Sequence, residues 1–301
     1  MTARPAEIAA PASSGRLGGN LAAVASTVVW SAGFPAAEGL METWAPIPLV
    51  PARLAMALLL LVPVLLLVQG VPRGLPWGRA LWVGGAGLGG AAILLLLAQA
   101  VTDPVTVAVI ACSGPLLATL VEWVRDRRPL SSWFLWGLLA SVVGGVIATA
   151  GGEAGGGNLL LGAALAIGSC LVYSWATDAT VRSLPGQTTL ARTAATVAGG
   201  FLAALLVAGV WAAMGGEGLP EGGVTARDWG LLAVYGMGGM ALSQALFVLA
   251  VQRIGVALSS FHLNIAPFYV MLILLSLGGG WSWVQAAGAA VVVLGVLLAQ
   301  R

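Results

Sequence analysis

The sequence has little charge and no lysine. Its 301 residues carry 13 basic side chains, all of them arginine, and 11 acidic ones, so that charged residues make up 8% of the chain. A typical soluble domain has about 25%. Hydrophobic residues reach 59%. The composition therefore excludes an ordinary soluble domain and predicts a membrane protein. A net charge of +2, with the arginines spread along the chain, predicts no binding to nucleic acid.

Cysteine and histidine are also scarce. Cys112 and Cys170 lie inside apolar runs and lack the spacing of a disulfide framework or a metal site. We therefore expect packing cysteines, no metal and no cofactor. The single histidine is His262. Residues 1–17 have no apolar core and are rich in Ala, Pro and Ser, which predicts a disordered cytoplasmic tail rather than a cleaved signal peptide.

Long apolar runs are what the sequence has in abundance. A membrane-spanning helix needs about 20 mostly apolar residues, and ten segments qualify. They are 18–37, 47–69, 80–101, 104–124, 132–150, 158–180, 188–213, 228–251, 256–277 and 282–300. The connections between them are short and leave no room for a soluble domain. The sequence therefore predicts an all-α polytopic membrane protein with ten transmembrane helices.

The arginines give this topology a direction. With the N-terminus inside, ten arginines fall in inner segments, and the outer loops hold only Arg227. The inner ones are Arg4, Arg16, Arg73, Arg79, Arg125, Arg127, Arg128, Arg182, Arg253 and Arg301, while the outer carboxylates are Glu38, Glu42, Glu153, Glu217 and Glu221. This asymmetry follows the positive-inside rule. It predicts cytoplasmic N- and C-termini, in the inner (plasma) membrane of the cell.

The two halves of the chain repeat each other. "AQAVTDPVTVAVIACSGP" (98–115) aligns without a gap with "AVQRIGVALSSFHLNIAP" (250–267). The other helices share sparser features in the same order, namely Trp30–Ser31 with Tyr173–Ser174, Arg53 with Arg192, and Gly137/Gly144 with Gly288/Gly295. Five spans per half is an odd number, so the halves 18–150 and 151–301 enter the membrane in opposite orientations. Inverted repeats of this kind are typical of transporters, although static membrane proteins can also arise by duplication.

The pattern resembles the drug/metabolite transporter superfamily, in its EamA-type branch of ten helices arranged as five plus five. The resemblance lies in "VVWSAGFPAAEG" (28–39), the arginine of helix two, "SGPLLATLVEW" (113–123), "NIAPFYVMLILL" (264–275) and the glycine-spaced helices five and ten. It implies a transporter fold, similar to that of YddG-type exporters of aromatic amino acids. The Glu–Arg pair that many family members carry after helices four and nine is altered in "EWVRDRRP" and missing from "LGGGWSW".

Polar and aromatic side chains inside the spans are the candidate site, because intramembrane polar groups usually face the bundle interior or a water-filled path. The candidate substrate-binding residues are His262, Asn264, Trp30, Tyr173, Trp175, Tyr235, Gln244, Phe261 and Tyr269. We expect helices one, three, four, six, eight and nine to line the cavity. The candidate kink and gating residues are Pro115, Pro267, Gly87 and Gly239. Pro267 should also leave the carbonyl of Leu263 without its helical partner.

Two alternatives stay open at these residues. His262 could bond to a neighbouring helix instead of a substrate. Arg53 and Arg192 could bind a carboxylate or phosphate, but each lies within about two turns of a helix start, where snorkelling to the interface explains it equally well.

The sequence thus predicts a secondary transporter that exports small organic metabolites, with aromatic or other apolar amino acids as the best candidates. It would work by alternating access, as a monomer or homodimer in the lipid bilayer, and without enzymatic activity. A multidrug or organic-cation exporter is the alternative on the same fold. A serine–histidine intramembrane protease built on Ser113 and His262 is less favoured, because it gives no reason for ten spans or a repeat. An ion channel would want a ring of carbonyls or carboxylates, and the sequence offers none.

Overall fold

The computed structural model describes residues 13–127, 130–151 and 158–299. Most of the predicted tail, together with Arg4, Arg128, Glu153 and Arg301, lies outside the described residues. Within them the regular structure is helical, as predicted. The helices are α1 (Ser13–Met41), α2 (Pro46–Gln69), α3 (Trp77–Val83), α4 (Gly90–Val101), α5 (Pro104–Ala111), α6 (Gly114–Asp126), α7 (Ser132–Ala150), α8 (Leu159–Ser183), α9 (Thr189–Ala213), α10 (Ala226–Leu232), α11 (Ser243–Ile254), α12 (Val256–Leu263), α13 (Ala266–Ser276) and α14 (Trp283–Ala299). Two π-helical segments, π1 (Gly84–Gly89) and π2 (Ala233–Leu242), join α3 to α4 and α10 to α11.

These elements follow the predicted spans in order. Eight helical segments of the described chain are long and apolar enough to cross a membrane. The bent pair of α5 and α6 makes a ninth if it crosses as one span, and α14 is a shorter apolar helix of 17 residues. Some helices are longer than expected: α1 continues to Met41 instead of residue 37, and the eighth span runs from Ala226 to Ile254 instead of 228–251. Terminal helical turns can be polar, which hydropathy undercounts.

The π-helical segments coincide with glycine-rich sequence and with close helix contacts. A Cβ atom on Gly84 would lie 2.1 Å from the carbonyl oxygen of Thr196 on α9, and one on Gly236 would lie 2.5 Å from that of Arg53 on α2. Gly84 and Gly236 are 152 residues apart, the offset of the sequence repeat. At both places glycine lets two helix backbones approach more closely than a side chain would allow.

Proline breaks the fourth and ninth spans at matching positions. Proline has no backbone N–H and clashes with the preceding turn, and the chain responds alike before Pro115 and before Pro267. The N–H of Ser113 donates to the carbonyl three residues earlier at 2.9 Å, and the N–H of Ile265 does the same at 3.1 Å. The axes of α5 and α6 differ by 45° at this break.

The two breaks contact each other. The carbonyl of Leu263 is the one that Pro267 deprives of a helical partner, and the Cys112 thiol donates to it with Sγ 3.4 Å from the oxygen. Cys112 and Asn264 are equivalent in the repeat, so the contact lies where the two halves meet. The prediction of a freed Leu263 carbonyl is confirmed, and Cys112, expected only to pack, supplies its replacement donor.

Buried hydrogen bonds also repeat across the halves. Ser26 on α1 donates its hydroxyl to the carbonyl of Ser243 at 2.7 Å, and Ser169 on α8 donates to the carbonyl of Ala91 at 2.7 Å. Ser26 and Ser169 are 143 residues apart, the same offset as Trp30 and Tyr173. The first span therefore packs on the eighth as the sixth packs on the third. Equivalent serine hydrogen bonds thus join equivalent pairs of spans in the described parts of the two halves.

Glycine also brings together α7 and α14, the last helix of each half. A Cβ on Gly137 would lie 2.4 Å from the carbonyl oxygen of Gly295, and one on Gly144 would lie 2.7 Å from that of Gly288. The glycines seven residues apart, noted in the sequence, thus form the surface through which these two helices pack.

Three described arginines of the predicted inner segments lie at one end of the bundle. Arg253, at the end of α11, lies beside Gly18 at the start of α1. Arg125 and Arg182, on α6 and α8, both pair with Asp178. The opposite end holds Arg227, whose Nη1 is 2.6 Å from the Glu42 carboxylate. These four described arginines follow the charge asymmetry read from the sequence.

Candidate functional site

A small cavity lies between four elements of the bundle, α1, α2, α4 and π2. Its walls are Trp30, Gly33, Phe34, Arg53, Leu95, Gln99 and Tyr235. The cavity volume is about 10 Å³, room for about one water molecule. Any larger molecule can enter only if these helices separate.

Arg53 is the charged group of this cavity. Its guanidinium carbon lies 4.1 Å from the centroid of the Tyr235 ring, within the range of a cation–π contact. Its Nη1 lies 3.2 Å from the Tyr235 hydroxyl oxygen. Its Nε is buried without a hydrogen-bond partner. Within the described residues, the ion pairs of the structure do not include Arg53.

Aromatic rings and one amide form the rest of the wall. Trp30 and Phe34 pack edge to face, with ring centroids 5.3 Å apart. Tyr235 is buried, with 5% of its surface exposed. The Gln99 Nε2 donates to the Phe34 carbonyl at 2.7 Å and ties α4 to α1. The site is thus an aromatic pocket with one cation and one amide.

Of the other residues predicted for the site, those on α8 lie near this cavity but do not line it. Tyr173 is half exposed, on a helix that packs against α4. Trp175 packs against π1, where a Cβ on Gly87 would meet its ring at 3.2 Å. Gly239 of π2 lies against Gly33 of α1, as Gly87 lies against Ala176 in the other half.

The residues predicted on the eighth and ninth helices are placed elsewhere. The His262 Nδ1 lies 2.9 Å from the Leu258 carbonyl oxygen, one turn earlier in its own helix. Asn264 is buried at the break, while Phe261 is exposed. Tyr269 and Gln244 are partly buried. None of these five lines the cavity.

Of the predicted site residues, the structure therefore brings together Trp30 and Tyr235. This cavity lies between the first, second, third and eighth spans, and the fourth, sixth and ninth spans, which were also expected to line the site, do not line it. A helix such as α2 is apolar on all sides, so its sequence does not show which face points inward. Arg53 was recognisable as a potential anion ligand, but its position near the helix start also fitted snorkelling.

Neither a metal site nor a catalytic pair is seen in the parts of the chain that the structure describes. They hold no group of three or more His, Cys, Asp or Glu side chains able to bind a metal ion. Their hydrogen bonds join His262 to its own helix and do not include a Ser113–His262 pair.

The carboxyl of Glu42, outside the spans, has a perturbed pKa. Glu42 follows the end of α1, and the hydrogen bond and charge of Arg227 hold the pKa of its carboxyl below the usual value. The pair is exposed on both sides, so it stabilises this end of the bundle only weakly.

Comparison with known proteins adds a family to this geometry. The model of the EamA-like transporter family matches residues 17–150. The similarity covers less than half of the chain. The matched segment takes in most of α1 and all of α2 to α7, and it contributes six of the seven cavity residues, all but Tyr235. The matched family is one of transporters, and the apolar helices of the described residues indicate a multi-pass membrane protein.

Solved structures extend the similarity beyond the matched segment. Fourteen chains match. One of them, described only as the crystal structure of a protein, has a TM-score of 0.64 and 18% sequence identity, and the alignment covers 95% of this chain and 96% of that one. At this identity the likeness establishes the fold alone. No curated protein matches the sequence.

Proposed function

We propose that the protein is a secondary transporter of the drug/metabolite transporter superfamily that exports small organic metabolites. Amino acids with aromatic or other apolar side chains are the best candidates. The observation that carries the proposal is the cavity, which combines aromatic walls with a single arginine that has no carboxylate partner among the described residues.

The walls suit an apolar side chain. Trp30, Phe34 and Tyr235 offer ring faces and edges on which an aromatic ligand can pack. Arg53 and Gln99 add a few polar groups, the usual composition of a small-molecule site. An amino acid carries one apolar part and one polar part, and these walls provide for both.

Alternating access is supported by unequal packing of the two halves. In the half that closes over the cavity, α1 packs against α4 and α5, and α2 packs against α4. The repeat-related helices α8 and α9 show no comparable packing against α11, α12 and α13 among the described residues. In a protein built from inverted repeats, exchange of these two arrangements would move the opening from one end of the bundle to the other. The small volume of the cavity fits closure at the end that holds Glu42.

The arginine-rich end would face the cytoplasm, since basic residues near span ends are retained there. Both termini would then lie inside the cell, with the protein in the inner (plasma) membrane. Export would then carry the substrate from the arginine-rich end towards the end that holds Glu42 and Arg227.

The test is counterflow of labelled phenylalanine in proteoliposomes made with purified protein. Wild type should take up the label when it is preloaded with unlabelled phenylalanine. Trp30→Ala should reduce uptake strongly, because it removes a wall of the cavity. Trp82→Ala is the matched control: Trp82 is 69% exposed and does not line the cavity, so uptake should stay near the wild-type level.

The alternatives give different results. Uptake of a labelled organic cation in place of phenylalanine would favour the multidrug exporter. No uptake of either compound would refute both substrate assignments and leave the fold unaffected. His262→Ala should transport at close to the wild-type rate, because His262 bonds to its own helix. Loss of uptake in this variant would indicate that the ninth helix contributes to substrate binding.

A further inference from the structure

We propose that Arg53 binds the carboxylate of the substrate and that Tyr235 positions it. The proposal rests on the proposed function and deepens it, since it names the chemical group that the cavity recognises. It makes the transporter selective for monocarboxylates, with or without an amino group, over amines that lack a carboxylate.

The first argument is the unmatched charge of Arg53. Arg53 lies seven residues into α2, roughly 10 Å from the helix start at 1.5 Å per residue, and its side chain is turned into the bundle. A charge at such depth is costly unless it is paired. A guanidinium has five N–H donors, yet the hydrogen bond that the structure gives Arg53 goes to one neutral oxygen, the Tyr235 hydroxyl. A carboxylate could accept two parallel N–H bonds from this group.

The second argument is that Arg53 is held in place. The Tyr235 ring covers one face of the guanidinium, and a stacked guanidinium keeps its N–H edge free for a ligand in its plane. Gly236 brings π2 against the backbone of α2, since a Cβ there would lie 2.5 Å from the Arg53 carbonyl oxygen. A positioned donor loses less entropy on binding than a mobile one.

The third argument is the contrast with Arg192, the repeat equivalent of Arg53. The Arg192 Nε donates to the Leu184 carbonyl at 2.9 Å, just outside the start of α9. The position equivalent to Tyr235, 152 residues earlier, is Val83, which has no ring face or hydroxyl for an arginine. Snorkelling towards the helix end thus describes Arg192, whereas Arg53 turns into the cavity.

Gln99 adds a reason to expect an amino group beside the carboxylate. Its Nε2 donates a hydrogen bond to the Phe34 carbonyl, so the amide oxygen is the atom that remains available to a ligand. A carbonyl oxygen accepts hydrogen bonds and can bind an ammonium. The cavity suits phosphate less well than a carboxylate, because a single arginine neutralises at most part of the phosphate charge.

The experiment measures ligand-induced thermal stabilisation of the purified full-length protein. The probes are phenylalanine, phenylacetate, phenethylamine and inorganic phosphate. The variants are Arg53→Gln and its matched control Arg192→Gln, with Arg53→Lys as the conservative change. We expect phenylalanine and phenylacetate to stabilise wild type and Arg192→Gln. Arg53→Gln should weaken both affinities by about ten- to a hundredfold, the usual effect of losing a hydrogen bond to a charged group. Arg53→Lys should bind more weakly than wild type but more tightly than Arg53→Gln.

Several results would overturn the proposal. One such result needs only wild type: stabilisation by phenethylamine but not by phenylacetate would overturn the proposal even if Arg53→Gln failed to fold. Equal affinity of Arg53→Gln and wild type for phenylacetate, or tighter binding of phosphate than of carboxylate, would have the same meaning. Failure of the proposed function is distinguishable: phenylalanine would show no counterflow, while phenylacetate would still stabilise the protein in an Arg53-dependent way.

Discussion

The packing of α7 against α14 can be tested quantitatively by comparing substitutions at two adjacent residues of α7. Gly144 and Gly145 are neighbours, but their surroundings differ. A Cβ on Gly144 would lie 2.7 Å from the carbonyl oxygen of Gly288 and 2.7 Å from the backbone nitrogen of Val292, whereas a Cβ on Gly145 would meet nothing within 4 Å. Alanine at position 144 must therefore push two helix backbones apart, and alanine at position 145 need not.

The size of the effect follows from these distances. Carbon atoms in good contact are about 3.5–4.0 Å from their neighbours, so that Gly144→Ala requires the helices to separate by roughly 0.8 Å. Overpacking of a close contact costs about 1–3 kcal/mol. Replacing glycine by alanine inside a helix also gains about 0.5–1 kcal/mol, but both variants share this gain. The difference in free energy of unfolding between them is therefore the overpacking cost, about 1–3 kcal/mol.

Thermal unfolding of the purified protein in one detergent measures this difference. A change of 1 kcal/mol shifts the midpoint by about 2–4 °C in a domain of 150–250 residues, so Gly144→Ala should melt several degrees below Gly145→Ala. Gly145→Ala should melt at or above the wild-type temperature. Equal midpoints for the two variants would show that α7 and α14 do not pack through Gly144, and the reasoning would be refuted.

Three other predictions follow from polar contacts. Gln99→Met removes the hydrogen bond between α4 and α1, worth about 0.5–1.5 kcal/mol, and should increase amide hydrogen exchange in residues 31–38; unchanged exchange would show that Gln99 does not help to close the cavity. Ser26→Ala and Ser169→Ala remove equivalent buried hydrogen bonds and should lower the midpoint of thermal unfolding by similar amounts, whereas a cost in only one would contradict their equivalence. The hydrogen bond and the charge of Arg227 lower the pKa of Glu42 in the folded protein, so this pair contributes stability above the unfolded pKa and loses it as the pH falls through the folded pKa. A small stability deficit of Glu42→Gln at pH 7 should therefore vanish in acid, and a deficit that grew on acidification would reverse the assigned sign.

The sequence was most informative about properties that repeat along the chain. Hydropathy predicted the order of the spans, because a bilayer requires long uninterrupted apolar runs. The 152-residue offset predicted that Pro115 and Pro267 would act alike, since proline has the same effect on a helix wherever it occurs. The arginine distribution predicted which ends of the helices would lie together.

The composition of the cavity was harder to predict, because it depends on helix rotation. Tyr235 and Trp30 were identified as intramembrane aromatic residues, but Arg53 had two equally good explanations until its ring contact was visible. His262 drew attention as a lone polar group inside a span. A polar side chain in a helix can bond to the carbonyl one turn earlier, and this local solution leaves no trace in the sequence.

The contact between the Cys112 thiol and the Leu263 carbonyl has a mechanical consequence. It joins two bent helices at their bends, one from each half of the molecule. In the proposed transporter, straightening one bend would strain this hydrogen bond, and the contact would then act as a pivot that links the movements of the two halves. A carrier that opened at both ends at once would leak its substrate down the gradient, and a shared pivot works against that state. In a duplicated chain, the junction between the copies can thus help to keep the membrane sealed while each copy moves.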